Sequence, residues 1–187
     1  MSPKRVLYHP LNHIWLRAKE PITKQPVAAA AVASKPYRIL QIGLTERGIE
    51  DVGDITAVRK PAGFFSYHKN RGKNQDDPRI NRGDELLQIH FDGHSITSAD
   101  ELYHTVWETF SDHLSIRSPV SGSIPQTESD IDATLKSIEL DGIDEETVLM
   151  DIEITEGEWE SVHRQNQFVD GPSYSQMIEG QPRGAFY

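Results

Sequence analysis

His90, Asp92 and His94 alternate in a run flanked by strand-like sequence, a spacing that sets two imidazoles and a carboxylate on one strand face, within reach of a zinc ion. His104 and His113 follow nearby. Two or three ligands on one edge make a weak site, and the same alternation is the polar face of a half-exposed strand, so no metal is assigned. Ser121 or Ser123 with His113 offers a hydroxyl and a base, but neither serine sits in a Gly-x-Ser-x-Gly elbow. Glycine-rich phosphate loops are absent as well. No catalytic residue and no cofactor is assigned, and an enzyme is not expected.

A second cluster reads as binding rather than catalysis. Within residues 61–78, Phe64, Phe65 and Tyr67 stand beside His68, Lys69, Arg71 and Lys73. Cations interleaved with aromatics bind nucleic acid or an acidic protein face. The alternative is a loop whose aromatics cover the core edge while its charges stay in water.

Composition narrows the classes. The chain has 187 residues, no cysteine, and 19 Lys+Arg against 29 Asp+Glu. There is therefore no disulfide framework, thiolate metal site or cysteine nucleophile. A net charge of −10 argues against a general nucleic-acid binder. The charge is unevenly divided: residues 1–73 hold 13 basic and 5 acidic side chains (+8), and 74–187 hold 6 and 24 (−18). The longest apolar run, 27–33, is far short of the roughly 20 residues that span a bilayer.

The elements that must position these residues read as follows. Residues 6–18 are extended, 21–36 are an Ala- and Pro-rich loop, and 37–44 (YRILQIGL) are a strong strand. Thr45 caps a short helix over 45–51, and strands follow at 53–58 and 85–91. Ser98 and Glu101 have capping-box spacing, and Leu102, Val106 and Phe110 recur every four residues, which predicts an amphipathic helix over 98–110. Residues 114–124 read as strand, bend and strand, 130–135 as a short helix, 147–155 as a strand and 172–179 as a helix.

Taken in order, the chain resembles the H protein family of the glycine cleavage system, with its lipoyl/biotinyl fold. The match rests on collinear motifs: His13-Ile14-Trp15, Ile42-Gly43-Leu44-Thr45, Gly53-Asp54-Ile55 through Pro61 and Gly63, the turn at 81–85, Ser118-Pro119-Val120-Ser121-Gly122, the strand at 148–155 and Tyr174 in the tail. The resemblance covers about 140 of the 187 residues. It implies one mainly β domain, a barrel-sandwich hybrid with peripheral helices, with its core at about 6–160, insertions at about 64–80 and 94–112, and a tail at 161–187. Pro119 and Gly122 suit a tight bend between barrel strands, Pro by fixing φ and Gly by accepting φ > 0.

The resemblance also implies a lipoyl-bearing lysine at a hairpin tip, ten residues after the turn glycine and eight before the proline of Ser-Pro-Val-Ser-Gly. Counting forward from Gly83 gives Gly93; counting back from Pro119 gives Ser111. Neither is lysine, the counts differ by 18 positions, and no lysine occurs between Asn74 and Leu135. In the lipoyl tip's place stands the expected 98–110 helix with Tyr103, Trp107 and Phe110, which either caps the open barrel edge or grips a partner. The function expected is that of a non-catalytic, non-lipoylated subunit contacting protein subunits of a larger assembly through Tyr103, Trp107, Phe110, Phe64, Phe65, Lys69, Arg71 and Lys73. The resemblance alone makes the compartment mitochondrial. Two alternatives stay open: a lipoyl carrier using Lys69 or Lys73, and a ribonucleoprotein subunit contacting RNA through 59–73.

Overall fold

The structure is a computed structural model that describes residues 6–22, 36–52, 54–65, 78–100, 104–165 and 167–179, with the backbone alone at 94–100 and 104–108. Strand β3 (Tyr37–Leu44) has the expected bounds. Leu40, Ile42 and Leu44 fall on one face and are fully buried, the period of two that a pleated strand imposes. One antiparallel neighbour is β2 (Ile14–Ala18), with Leu16 opposite Ile42. The other is β9 (Met150–Thr155), with Ile152 opposite Leu40 and Met150 opposite Ile42. With β1 (Val6–His9), β8 (Gly122–Ser123) and β5 (Arg79–Ile80), these form a six-stranded sheet of order β1-β2-β3-β9-β8-β5.

A second antiparallel sheet has the order β4-β6-β7, from β4 (Asp54–Arg59), β6 (Glu85–Asp100) and β7 (His104–Arg117). Leu87, Ile89 and Phe91 of β6 and Ile116 of β7 turn inward and join the buried face of the larger sheet in one apolar core. Helix α1 (Glu46–Val52) connects β3 to β4, and the Gly48 N–H donates to its capping Thr45 Oγ1 at 3.1 Å. Helix α2 (Glu128–Asp141) buries Ile131, Leu135 and Ile138, and its Glu139 accepts the Val58 N–H at the edge of β4. Helices α3 (Glu156–Arg164) and α4 (Gly171–Ile178) close the described chain. The architecture is mainly β with peripheral helices, as expected. Among the described residues no helix is long and apolar enough to cross a membrane.

Three expectations are corrected. Residues 98–110 are not a helix: apart from 101–103, which lie outside the described residues, they belong to β6 and β7, paired Ser98↔Val106 and Ile96↔Trp107. The four-residue recurrence of Leu102, Val106 and Phe110 satisfied a helical template, but Thr105, Val106, Trp107 and Thr109 favour strand, and a long partner lay immediately upstream. Residues 156–164, for which no helix was expected, form α3 across the expected start of the tail at 161, and its Glu158 carboxylate accepts the Ser121 N–H at 2.9 Å and meets Arg82 at 3.1 Å. Gly122 does not supply a positive φ: the described glycines with positive φ are Gly63, Gly83 and Gly142. A Cβ on Gly122 would lie 2.5 Å from the Glu153 carbonyl oxygen, so the residue is there for close approach of β8 to β9. The positive φ belongs to Gly83, +86°, in the turn closed by Asp84 N–H to the Asn81 carbonyl at 3.1 Å.

Close approach also governs Gly43, which faces Trp15 across β2 and β3. A Cβ there would sit 2.2 Å from Trp15 Cζ2 and 2.6 Å from the Thr147 carbonyl oxygen. Because one obstacle is backbone and the other a 96% buried indole, Gly43→Ala is expected to destabilise the protein by about 3 kcal/mol in urea unfolding. A midpoint unchanged from wild type would show that the indole moves aside freely.

Candidate functional site

The β6–β7 hairpin carries both positions reached by counting to a lipoyl lysine, Gly93 and Ser111, together with Trp107 and Phe110. Its register places Gly93 opposite Phe110 and Asp92 opposite Ser111. Gly93 and Ser111, reached by counting from opposite ends, thus stand on adjacent rungs of one ladder. Between them, 94–100 and 104–110 prolong the hairpin by seven residues on each strand, or about 23 Å. A Cβ on Gly93 would lie 2.4 Å from Phe110 Cζ, so the ring lies across the space a side chain would need. Phe110 is half-buried and packs against the core from β7. The last pairing of β4 with β6 is Asp54↔Asp92. Past it, β6 and β7 continue as a two-stranded ribbon among the described residues.

The outer face of the sheet is polar. His90 and His113, directly opposite, stack with centroids 5.6 Å apart and planes 27° apart. Ser111 Oγ donates to Asp92 Oδ1 at 2.5 Å, and Asp112 lies 3.7 Å from His113. With Thr56 they line a shallow depression of about 320 Å³. His94 is on the same strand, its side chain outside the described set. Among the described residues no three His, Asp or Glu side chains are disposed to hold a metal. Ser121 Oγ accepts the Arg82 N–H at 3.2 Å, Ser123 pairs with Arg79 in β8, and among the described residues no hydrogen bond joins either serine to His113.

The remaining site residues divide. Phe64 and Phe65, expected to meet a partner, are buried in the core, edge to face at 5.4 Å, with Lys60 Nζ 5.3 Å from the Phe65 ring. Apolar rings flanking a strand end are worth more in the core than in water, so they take the core-covering role. Lys69, Arg71, Lys73 and Tyr103 lie outside the described residues, and Trp107 is placed by backbone only.

Sequence reasoning missed a buried polar node. The Tyr174 hydroxyl of α4 lies 2.8 Å from His13 Nδ1, in the β1–β2 turn, and 2.8 Å from Thr45 Oγ1, the cap of α1. Tyr8 stacks on Tyr174 at 5.1 Å, and Arg47 and Asp51 form a buried pair at 3.0 Å on α1. His13 has φ +48°, a left-handed conformation that its hydrogen bonds hold. Burial pushes the His13 imidazole below its ordinary pKa, Asp51 opposing and Arg47 reinforcing. Burial also lowers His9, with His13 adding to it. Burial raises the Tyr174 phenol, so it stays a neutral donor. The signal was present only as two motifs 161 residues apart.

Tyr174→Phe removes the buried hydroxyl that both His13 Nδ1 and Thr45 Oγ1 meet and is expected to cost about 1–3 kcal/mol. The folded protein holds the His13 and His9 protons less tightly than the unfolded chain, so stability is full above about pH 6.5 and declines as pH falls below it. His13→Asn tolerates the left-handed backbone without titrating. Its melting temperature is expected to fall less between pH 7.5 and 5.5 than that of wild type. Equal falls would place the titration elsewhere.

No family model matches the sequence, and no curated protein matches it. Among solved structures, the chain is similar to a glycine cleavage system H protein from Mycobacterium marinum, at 12% identity and a TM-score of 0.48, over 95% of this chain and 98% of that one.

Proposed function

We propose that the protein is a non-catalytic, non-lipoylated interaction subunit on an H-protein-like scaffold, acting within a larger, mitochondrial assembly. The observation that carries this is the hairpin. The two positions where a lipoyl lysine is expected, Gly93 and Ser111, lie on adjacent rungs inside the ladder, Gly93 beneath Phe110. The prolonged hairpin contains no lysine from base to tip. Lipoate is attached through a lysine amine, which glycine and serine lack. The collinear motifs support the scaffold. The Ser118-Pro119-Val120 bend is anchored to the Gly83 turn by Gly83 N–H to Ser118 O at 2.7 Å and Ser118 N–H to Asp84 O at 2.8 Å.

The carrier alternative is tested by intact mass of the protein purified from cells competent to lipoylate. An unmodified mass is expected; a lipoyl adduct on Lys69 or Lys73 overturns the proposal. The RNA alternative draws on residues 59–73, of which Lys60 is engaged by Glu128 at 2.9 Å and Asp132 at 2.7 Å. If Lys69, Arg71 and Lys73 met phosphates, changing them to Gln would flatten the salt dependence of RNA association by about one unit of slope per lost contact. The expected result is an unchanged slope, fitting an interaction surface for protein rather than nucleic acid.

A further inference from the structure

On the far side of β2 from its core residues Ile14 and Leu16 lies a cleft of about 410 Å³, walled by β1, β2, the cap of α1, the 144–147 turn and α4. Tyr8 and Trp15, cross-strand neighbours, line it, as do Val6 and Arg17 on the next rung of that face. Trp15 is 4% exposed, yet its indole Nε1–H meets no acceptor among the described residues. A buried donor left unpaired costs about 1–3 kcal/mol, so this one calls for an acceptor from outside the chain. The charges of the cleft divide. Glu46, Glu145 and Glu146 line it, and none of their carboxylates has an ion pair or hydrogen bond among the described residues. The cation of the lining, Arg17, is held in place: its guanidinium lies 5.0 Å over the Trp15 ring, its Nε–H donates to Gln41 Oε1 at 3.1 Å, and Gln41 donates to Asp151 at 3.1 Å. Register sets the two signs apart. Trp15 pairs with Gly43, and Arg17 with Gln41, two residues further from the Leu44 end of β3. Glu46 follows just past that end, and the 144–147 turn stands there too, its Thr147 carbonyl against Gly43. Arg17 is therefore about 7 Å along β2 from the rung beside which the acids gather.

We infer that this cleft binds a small zwitterion of dipeptide size, its ammonium among Glu46, Glu145 and Glu146, its amide carbonyl on the Trp15 Nε1–H and its carboxylate on Arg17. Two extended residues span about 7 Å, which matches the separation of the charges. A purely cationic ligand would be repelled by Arg17, and a purely anionic one would meet three carboxylates. An internal segment of a protein lacks both terminal charges. Because Gln41 and Asp151 already hold the guanidinium, little ordering is left to be done on binding. The inference goes beyond the proposed function and is independent of it. A lipoyl adduct would overturn that reading and leave the cleft as it is.

The test titrates the full-length protein with the dipeptide Ala–Leu, whose leucine, carrying the carboxylate, falls beside Val6, the cross-strand partner of Arg17. The Trp15 indole N–H resonance is expected to move to its hydrogen-bonded position, saturating below about 10 mM. N-acetyl-Ala–Leu and Ala–Leu amide are each expected to bind about tenfold more weakly, since each loses one charge. The double variant Glu145→Gln, Glu146→Gln, at two exposed positions, is expected to weaken Ala–Leu about fivefold and to leave the acetylated form unchanged. Arg17→Gln is expected to weaken Ala–Leu and to leave the amide unchanged. No movement of the Trp15 resonance up to about 10 mM overturns the inference. So does equal binding of the free and blocked dipeptides, a variant that weakens every form alike, or a Trp15 N–H already hydrogen-bonded in the free protein.

Discussion

The pairing of β3 with β9 is the constraint from which the rest of the fold follows. Leu40 and Ile152, opposite one another and fully buried, are 112 positions apart in the chain. Closing a loop of that length costs on the order of 4 kcal/mol beyond its constant part. Burying an aliphatic side chain contributes about 1.5–3 kcal/mol. Leu40, Ile42, Met150, Ile152 and Ile154 on this one pair therefore offset the closure several times over. Everything between Thr45 and Leu149 is then a set of excursions from a fixed base. The short ones, such as the turn at Gly83, are held by backbone bonds, and the long one is the hairpin.

That hairpin changes character along its length. Near its base β6 is flanked on both sides, and Leu87, Ile89 and Phe91 are buried. Beyond Asp54↔Asp92 only two strands remain, and a two-stranded ribbon is marginal in water without a surface to bury. Phe110 over Gly93 marks the boundary, an aromatic ring filling the space of a missing side chain where the third strand gives out.

What the sequence made legible was local. The run at 37–44 became β3 to the residue, the proline-led segment at 172–179 became α4 within a residue of each end, and Gly83 marked its turn. What it did not make legible depended on distant partners. Residues 98–110 satisfied a helical template and a strand template at once, and the choice fell to Ile96 and Ser98 across the ladder. Helix α3 had a usable signal in Thr155 and Glu158, three apart like a capping box, and Thr155 Oγ1 does accept the Glu158 N–H at 3.3 Å. That Glu158's side chain reaches Ser121 and Arg82 instead was not visible, because the partners lie 37 and 76 positions upstream. For the site, the missing lysine was plain, but that Gly93 and Ser111 are neighbours needed the register.

The two polar features of the fold have opposite mechanical roles. The Tyr174 hydroxyl joins the first hairpin, the cap of α1 and the last helix at a buried point, where each hydrogen bond is shielded from water and leaving one unmade is costly. The hairpin face, with His90, Asp92, Ser111 and His113 exposed or half-exposed, has its polar groups open to water and loses little when one is disturbed. Rigidity is therefore concentrated where the termini of the core are tied together, and adaptability where the sheet is open.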